Sequence, residues 1–357
     1  IYRAGIQSGG LSEEDSQKQS PDFLVQGVNT ENLFEYTTAA FARFIELLPG
    51  LDGVQFRMHN ESGLKPGKEM ELFWTEVFGS IKASAPELKI ELRAKELPDK
   101  IIDIAEEMGL DYNITTKYWM EQMGLPFHPT HINRQNHFDR RHGYADLLRY
   151  PKSYDILWRM WTAGTQRVLL WGNPEYTRRF AESTHLYDGI GFEINEPLAT
   201  KMLAQPHNAE PIRLLNPGYE YYSYEFERYW YYFQTFGRMA YKPHTPSEVF
   251  TREVNRRFGE KAGPLIQEAL HQASFILPKI NAACAPYGLF PTTRGWAAKQ
   301  TLGELPKFAK AEGSDIQQFA SFDEEALLLI EAGETAKVLP SQTSLWFSNT
   351  NQRIETL

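Results

Sequence analysis

The stretch VQFRMHNESGL, Val54 to Leu64, opens as an apolar run suited to a buried strand and closes in histidine, asparagine, glutamate, serine and glycine. Strand ends meet solvent and collect polar side chains, so the cluster alone does not separate a surface loop from a site. Recurrence along the chain does. Polar and carboxylate residues follow several strands in turn, at Glu61, Glu96, Lys117 and Glu121, Glu175, and Glu196. That is how a closed parallel barrel builds a site, from the C-terminal ends of many strands.

Read outward from Val54, the first two-thirds of the chain alternate strands and helices. Strands are expected at Tyr2–Ile6, Phe23–Val28, Gly53–Met58, Lys89–Arg93, Tyr112–Thr116, Arg167–Trp171 and Gly189–Ile194. Between them, residues 31–48 place Phe34, Phe41, Ile45 and Leu48 on one helical face behind Thr30 as N-cap, and Pro98 opens a helix that Gly109 ends. Alternating strand and helix imply a parallel sheet with helical crossovers. Neither GxGxxG nor GxxxxGK[ST] follows any strand, which removes the usual dinucleotide and phosphate-loop readings. The expected fold is α/β, a (β/α)8 TIM-type barrel over residues 1–205, with one or two N-terminal strands absent from this chain or not recognisable in it. The chain opens on Ile1, already inside an apparent strand, so it is expected to begin within a larger protein or after a processed leader.

After about residue 205 the alternation stops. Tyr219 to Tyr241 holds twelve aromatics in twenty-three residues, with Tyr222, Phe226, Tyr229, Phe233 and Phe236 at helical spacing. Such a stripe is core in the plain reading, while Tyr221, Tyr224, Trp230 and Tyr232, lying off it, are open to a cleft. Helices are expected over Ser247–Phe258, Pro264–Ile280 and Asp323–Ala336, so residues 206–357 read as an α-helical C-terminal domain.

The formal charge of −9 argues against a general nucleic-acid binder. A single cysteine, Cys284, rules out an intramolecular disulfide and leaves the compartment open between cytoplasm and a secreted or periplasmic setting. No apolar run approaches the ~20 residues a spanning helix needs, so no membrane partner is expected. The expected partner is a carbohydrate substrate, with a homodimer left open.

Glycosidic hydrolysis needs one protonated carboxyl for the leaving oxygen and a second carboxylate to activate water or attack directly. Glu61 is the candidate acid, with Arg57, His59 and Asn60 beside it to hold substrate or tune the carboxyl. The plainer reading is a loop ion pair with Arg57 or Lys65. In TTKYWMEQMGLPFHP, Lys117, Trp119, Glu121 and His128 follow a strand; Glu121 suits a water-holding base and Trp119 a wall for a sugar ring, against a solvated loop. LLWGNPEYTRRF offers Trp171, Asn173 and Glu175, although Pro174-Glu175 also reads as the first turn of a helix, where the dipole favours a carboxylate. In GFEINEPL, Glu193 is expected to point into the barrel and Glu196 to its rim.

The run HPTHINRQNHFDRRHG, His128 to Gly143, concentrates four histidines with Arg134, Arg140 and Arg141 in an acidic protein. Its histidine spacings match no standard zinc pattern, and HExxH is missing, so no metal or other cofactor is assigned. A cationic loop after a strand suits an anionic substrate, because arginine grips a carboxylate through two parallel hydrogen bonds. A solvated or interface loop would look alike.

The order of these segments, an HNESG turn after one strand, KYWMEQ after a later one, NPEY after the next, then an aromatic helix ending FGRMAYKPHTPSEVF, resembles the α-glucuronidases of glycoside hydrolase family 67 and their relatives. The resemblance covers roughly residues 50 to 260, and FGRMAY with its proline turn is its most specific part. It implies a (β/α)8 barrel followed by a helical domain, and inverting release of a uronic acid from plant polysaccharide. Carried over, it puts Glu61 in the general-acid position and Glu121 and Glu175 in the two positions that share water activation. Relatives have aspartate where Glu121 stands, and the histidine–arginine loop has no counterpart. Three alternatives stay open: a retaining glycosidase with Glu61 as acid/base and Glu175 or Glu196 as nucleophile, a non-catalytic glycan-binding barrel, and a metal-dependent hydrolase using the histidine loop.

Overall fold

The computed structural model describes residues 28, 31–58, 64, 66–116, 118–119, 145–161, 172–194, 216–276, 279, 283 and 318–357. The expected strands at Tyr2–Ile6 and Arg167–Trp171, nearly all of Phe23–Val28, and the expected domain boundary after residue 205 lie outside them. The chain forms two compact units, residues 1–117 with 136–157, and residues 118–135 with 158–357.

The first unit is a mixed α/β structure. Helix α1 (Leu33–Leu47) leads to β1 (Gly53–Phe56), α2 (Lys68–Ser84), β2 (Lys89–Arg93), α3 (Asp99–Glu107) and β3 (Tyr112–Thr115). Helix α1 starts later than expected: Asn32 holds the N-cap position, with no side-chain cap bond. Each strand pairs with the next in parallel, and β3 pairs in parallel with the first residues of β5 (Asp155–Trp161), a strand absent from the sequence-based reading. β2 and β6 match their expected bounds, whereas β1 and β3 stop one or two residues short.

Because side chains alternate across a strand, the register sorts them into rows by face. Phe56, Leu92, Ile114 and Ile156 form one row, and Leu92, Ile114 and Ile156 are fully buried. Helices α1 and α2 meet this face: the Phe56 ring lies 5.1 Å from Trp74, edge-on, and 6.0 Å from Phe41. Phe78 is fully buried beside them. The alternate rows are polar. Gln55 aligns with Glu91, Glu91 with Asn113, and Arg93 with Thr115, and the Glu91 carboxylate accepts hydrogen bonds from Gln55 Nε2 and Thr115 Oγ1.

In the second unit, β4 (Tyr118–Trp119) pairs in parallel with the end of β5, and β6 (Gly189–Ile194) also pairs with β5. Helix α4 (Pro174–Ser183) precedes β6, and α5 (Glu225–Arg228), α6 (Trp230–Tyr241), α7 (Ser247–Ala273), α8 (Phe322–Glu331) and α9 (Pro340–Thr356) follow. Phe180 of α4, Phe192 of β6 and Phe236 of α6 interlock edge-on, the closest pair 4.6 Å apart. Tyr231, Met239, Phe250 and Val254 form a second apolar cluster between α6 and α7. Helix α7 is two helical segments joined at Gly259, whose φ of 81° belongs to the left-handed region where glycine carries no Cβ penalty. Pro264 lies inside the second segment. Among the described residues no helix is long and apolar enough to cross a membrane.

Candidate functional site

In the first unit, the strand-following residues singled out from the sequence lie at the C-terminal ends of the parallel strands. β1 runs out through exposed Arg57 and buried Met58. Its next residues, His59, Asn60 and Glu61, lie outside the described residues, as do Lys117, Glu121, His128, Arg134, Arg140, Arg141, Trp171 and Glu196. Trp119 is described only in its backbone, as part of β4.

β2 ends on two cations that the sequence-based reading did not single out. Arg93 is 3% exposed and Lys95 5%. Between them the Ala94 N–H continues the ladder to Thr115 O at 2.9 Å, and one strand further Thr116 N–H reaches Leu157 O at 3.0 Å. A buried guanidinium and a buried ammonium are costly unless anions or hydrogen-bond acceptors meet them, and both residues have interaction partners in the protein. The signal was present in KIELRAKE: Glu91 and Arg93 alternate with Ile90 and Leu92, which is the pattern of a strand with one polar, enclosed face. Attention to carboxylates beyond the strand ends passed over it.

In the second unit, Arg159 on β5 and Glu193 on β6 form an ion pair at 2.8 Å, with the arginine side chain 9% exposed. Glu193 was expected to point inward, and it meets a buried guanidinium from the neighbouring strand.

Two expected site residues have structural roles here. The Asn173 side chain is the N-cap of α4, accepting from Tyr176 N–H at 2.9 Å, while its Nδ2 donates to His271 O at 3.3 Å. It is buried, and capping leaves it little to offer a sugar. Glu175 sits in the first turn of α4 with its side chain 47% exposed. Arg178 donates to it at 2.6 and 2.8 Å and Arg179 at 2.9 Å. The hydrogen bond from Arg178, then that from Arg179, holds its carboxyl below the ordinary glutamate range. A base for water must take a proton during the reaction, and two guanidinia oppose that. The helix-turn reading of Pro174-Glu175 is the one these contacts favour, and the shared water-activating role is not supported for Glu175.

Among the described residues no group of three or more histidine, cysteine, aspartate or glutamate side chains could hold a metal ion.

No protein-family model matches the chain, and no curated protein matches it in sequence. In structure the chain is similar to a GH138 enzyme targeting pectin rhamnogalacturonan II, with a TM-score of 0.60 at 15% identity. The match covers 90% of this chain and 38% of that one, so the chain spans well under half the length of its structural neighbour. At this identity the likeness shows a shared fold.

Proposed function

We propose that the protein is a glycoside hydrolase acting on an acidic, uronate-bearing plant polysaccharide. The observation that carries this reading is a parallel sheet whose strand β1 runs on, through Arg57 and Met58, into the glutamate-bearing turn HNESG. A strand-following glutamate suits a general acid, and the arginine-rich run of residues 128–143 suits a substrate carboxylate. The fold likeness to an enzyme on pectin rhamnogalacturonan II supports the same class and favours a pectic substrate.

In this reading the sheet closes into a (β/α)8 barrel, Glu61 is the acid and Glu121 the base that positions water for inversion. Arg57, His59, Asn60, Lys117 and Trp119 bind the sugar, with Trp171 and Glu196 at the rim, and Arg134, Arg140, Arg141 and His128 help hold its carboxylate. The finer resemblance to family 67 belongs to this proposal.

Glu61→Gln tests it. The amide keeps shape but has no proton to give, so turnover of acidic pectic oligosaccharides should fall on the order of 10²–10⁴-fold with binding largely kept. Near wild-type turnover would remove Glu61 from the chemistry.

A further inference from the structure

We infer that a cleft on the helical part of the second unit is a binding subsite for a neutral sugar, apart from the strand-end site. The inference rests on the reading of the protein as one that handles carbohydrate. The cleft, of about 530 Å³, is lined by Tyr221, Phe226, Trp230 and Phe233, with Glu227 and Arg257 among them. Its volume lies within the range of small-molecule sites.

Three of the four rings lie outside the core, and Trp230 is part-buried against the cluster of Tyr231, Met239, Phe250 and Val254. The same segment buries Tyr231, Tyr232 and Phe236 on another face, whereas Tyr221, Phe226 and Phe233 are exposed. Clustered exposed aromatics mark a surface that something covers.

The two charged groups are prepared rather than neutralised. Arg257 stacks over the Trp230 ring at 4.0 Å, which fixes the plane of its guanidinium, and its N–H groups have no hydrogen-bond partner among the described residues. Glu227 is held by Ser223 N–H at 2.7 Å and Tyr224 N–H at 3.0 Å, both on Oε2, so Oε1 is left to accept. Those backbone bonds, Tyr224 first, lower its proton affinity and keep it ionised.

A sugar ring offers an apolar C–H face and hydroxyls that both donate and accept. Stacked rings take the face, Arg257 donates to one hydroxyl and Glu227 accepts from another. One positive and one negative group leave the cleft with no net charge, so a uronate gains no net electrostatic attraction there, its pull towards Arg257 being opposed by Glu227. The preference is therefore for a neutral residue.

The test uses the protein in its Glu61→Gln form, titrated calorimetrically with tetragalacturonate and with the same oligosaccharide after reduction of every carboxyl to CH₂OH. Trp230→Ala and the exposed Arg257→Lys should each weaken the neutral oligosaccharide tenfold or more and leave tetragalacturonate within twofold. Arg257→Lys, being exposed, keeps the inference testable if Trp230→Ala fails to fold. Neutral binding that is absent, or indifferent to Arg257→Lys, overturns the subsite, as does a cleft that prefers tetragalacturonate. Hydrolysis by wild-type protein, measured in parallel, separates the two readings. Turnover with an insensitive cleft sinks only the subsite, and a sensitive cleft without turnover sinks only the hydrolase.

Discussion

At the scale of the residue, a carboxylate is useful in catalysis only if its surroundings let its proton come and go. Glu175 is held by three charge-assisted hydrogen bonds at a helix start, so its work is on the fold. Glu175→Gln should lower stability by only about 0.3–1 kcal/mol, because the site is half exposed and screened, and should leave kcat unchanged. A hundredfold loss of kcat with an unchanged melting temperature would return it to the chemistry.

His271 makes a second test at this scale. Gln267 Nε2 donates to the Tyr231 hydroxyl at 3.3 Å, and that hydroxyl shares a 2.9 Å hydrogen bond with His271 Nε2. Burial lowers the histidine's proton affinity, with Glu268 opposing weakly. Above about pH 6.5 neither the folded nor the unfolded chain protonates this group. As pH falls further the unfolded chain takes up the proton first, so the stability that neutral His271 contributes is lost until the folded group also titrates. The urea midpoint should therefore drop from pH 7.5 to 5, and His271→Gln should flatten part of that slope; an unchanged slope would contradict the assignment.

Elements show where sequence was legible and where it was not. β2 and β6 could be read because each is an apolar run with a clear period, bounded by turn residues. β5, YDILWRMW from Tyr154, escaped because Arg159 interrupts its apolar run, and what neutralises that arginine is Glu193, on a strand thirty-four residues away. The aromatic stripe was misphased for a local reason. Only the four residues of α5 precede the break at Tyr229 (φ −99°, ψ 19°), so a spacing counted from Tyr222 does not follow one helix. Tyr229 and Phe236 of the stripe are buried, Phe226 and Phe233 are exposed, and Tyr231 and Tyr232, off it, are buried. Of the strand-end site, the turn after β1 was conspicuous as a cluster of polar residues, whereas Arg93 and Lys95 were hidden by the habit of assigning lysine and arginine to the surface. The two faces of the sheet give this scale its prediction. Leu92→Ala, fully buried against the helices, should cost about 2–5 kcal/mol. Asp155→Ala, an exposed position in the same sheet, should stay within about 0.5 kcal/mol. Chemical denaturation checks both, and equal effects would mean that the sheet is not one-sided.

At the scale of the molecule, a chain with a formal charge of −9 spends buried positive charge at one end of a parallel strand, and spends exposed aromatics with a balanced charge pair on a helical surface. On the reading proposed above, the protein holds an acidic sugar where bonds are broken and a neutral one at the helical cleft. The most direct test is to incubate the protein with rhamnogalacturonan II fragments and follow the anomeric protons by NMR from the first turnovers. The account predicts release of a uronate-bearing sugar whose first-formed anomer is inverted relative to the bond cleaved, and no release by Glu61→Gln. Release of no sugar from these or other acidic plant oligosaccharides, or equal release by Glu61→Gln, would contradict it.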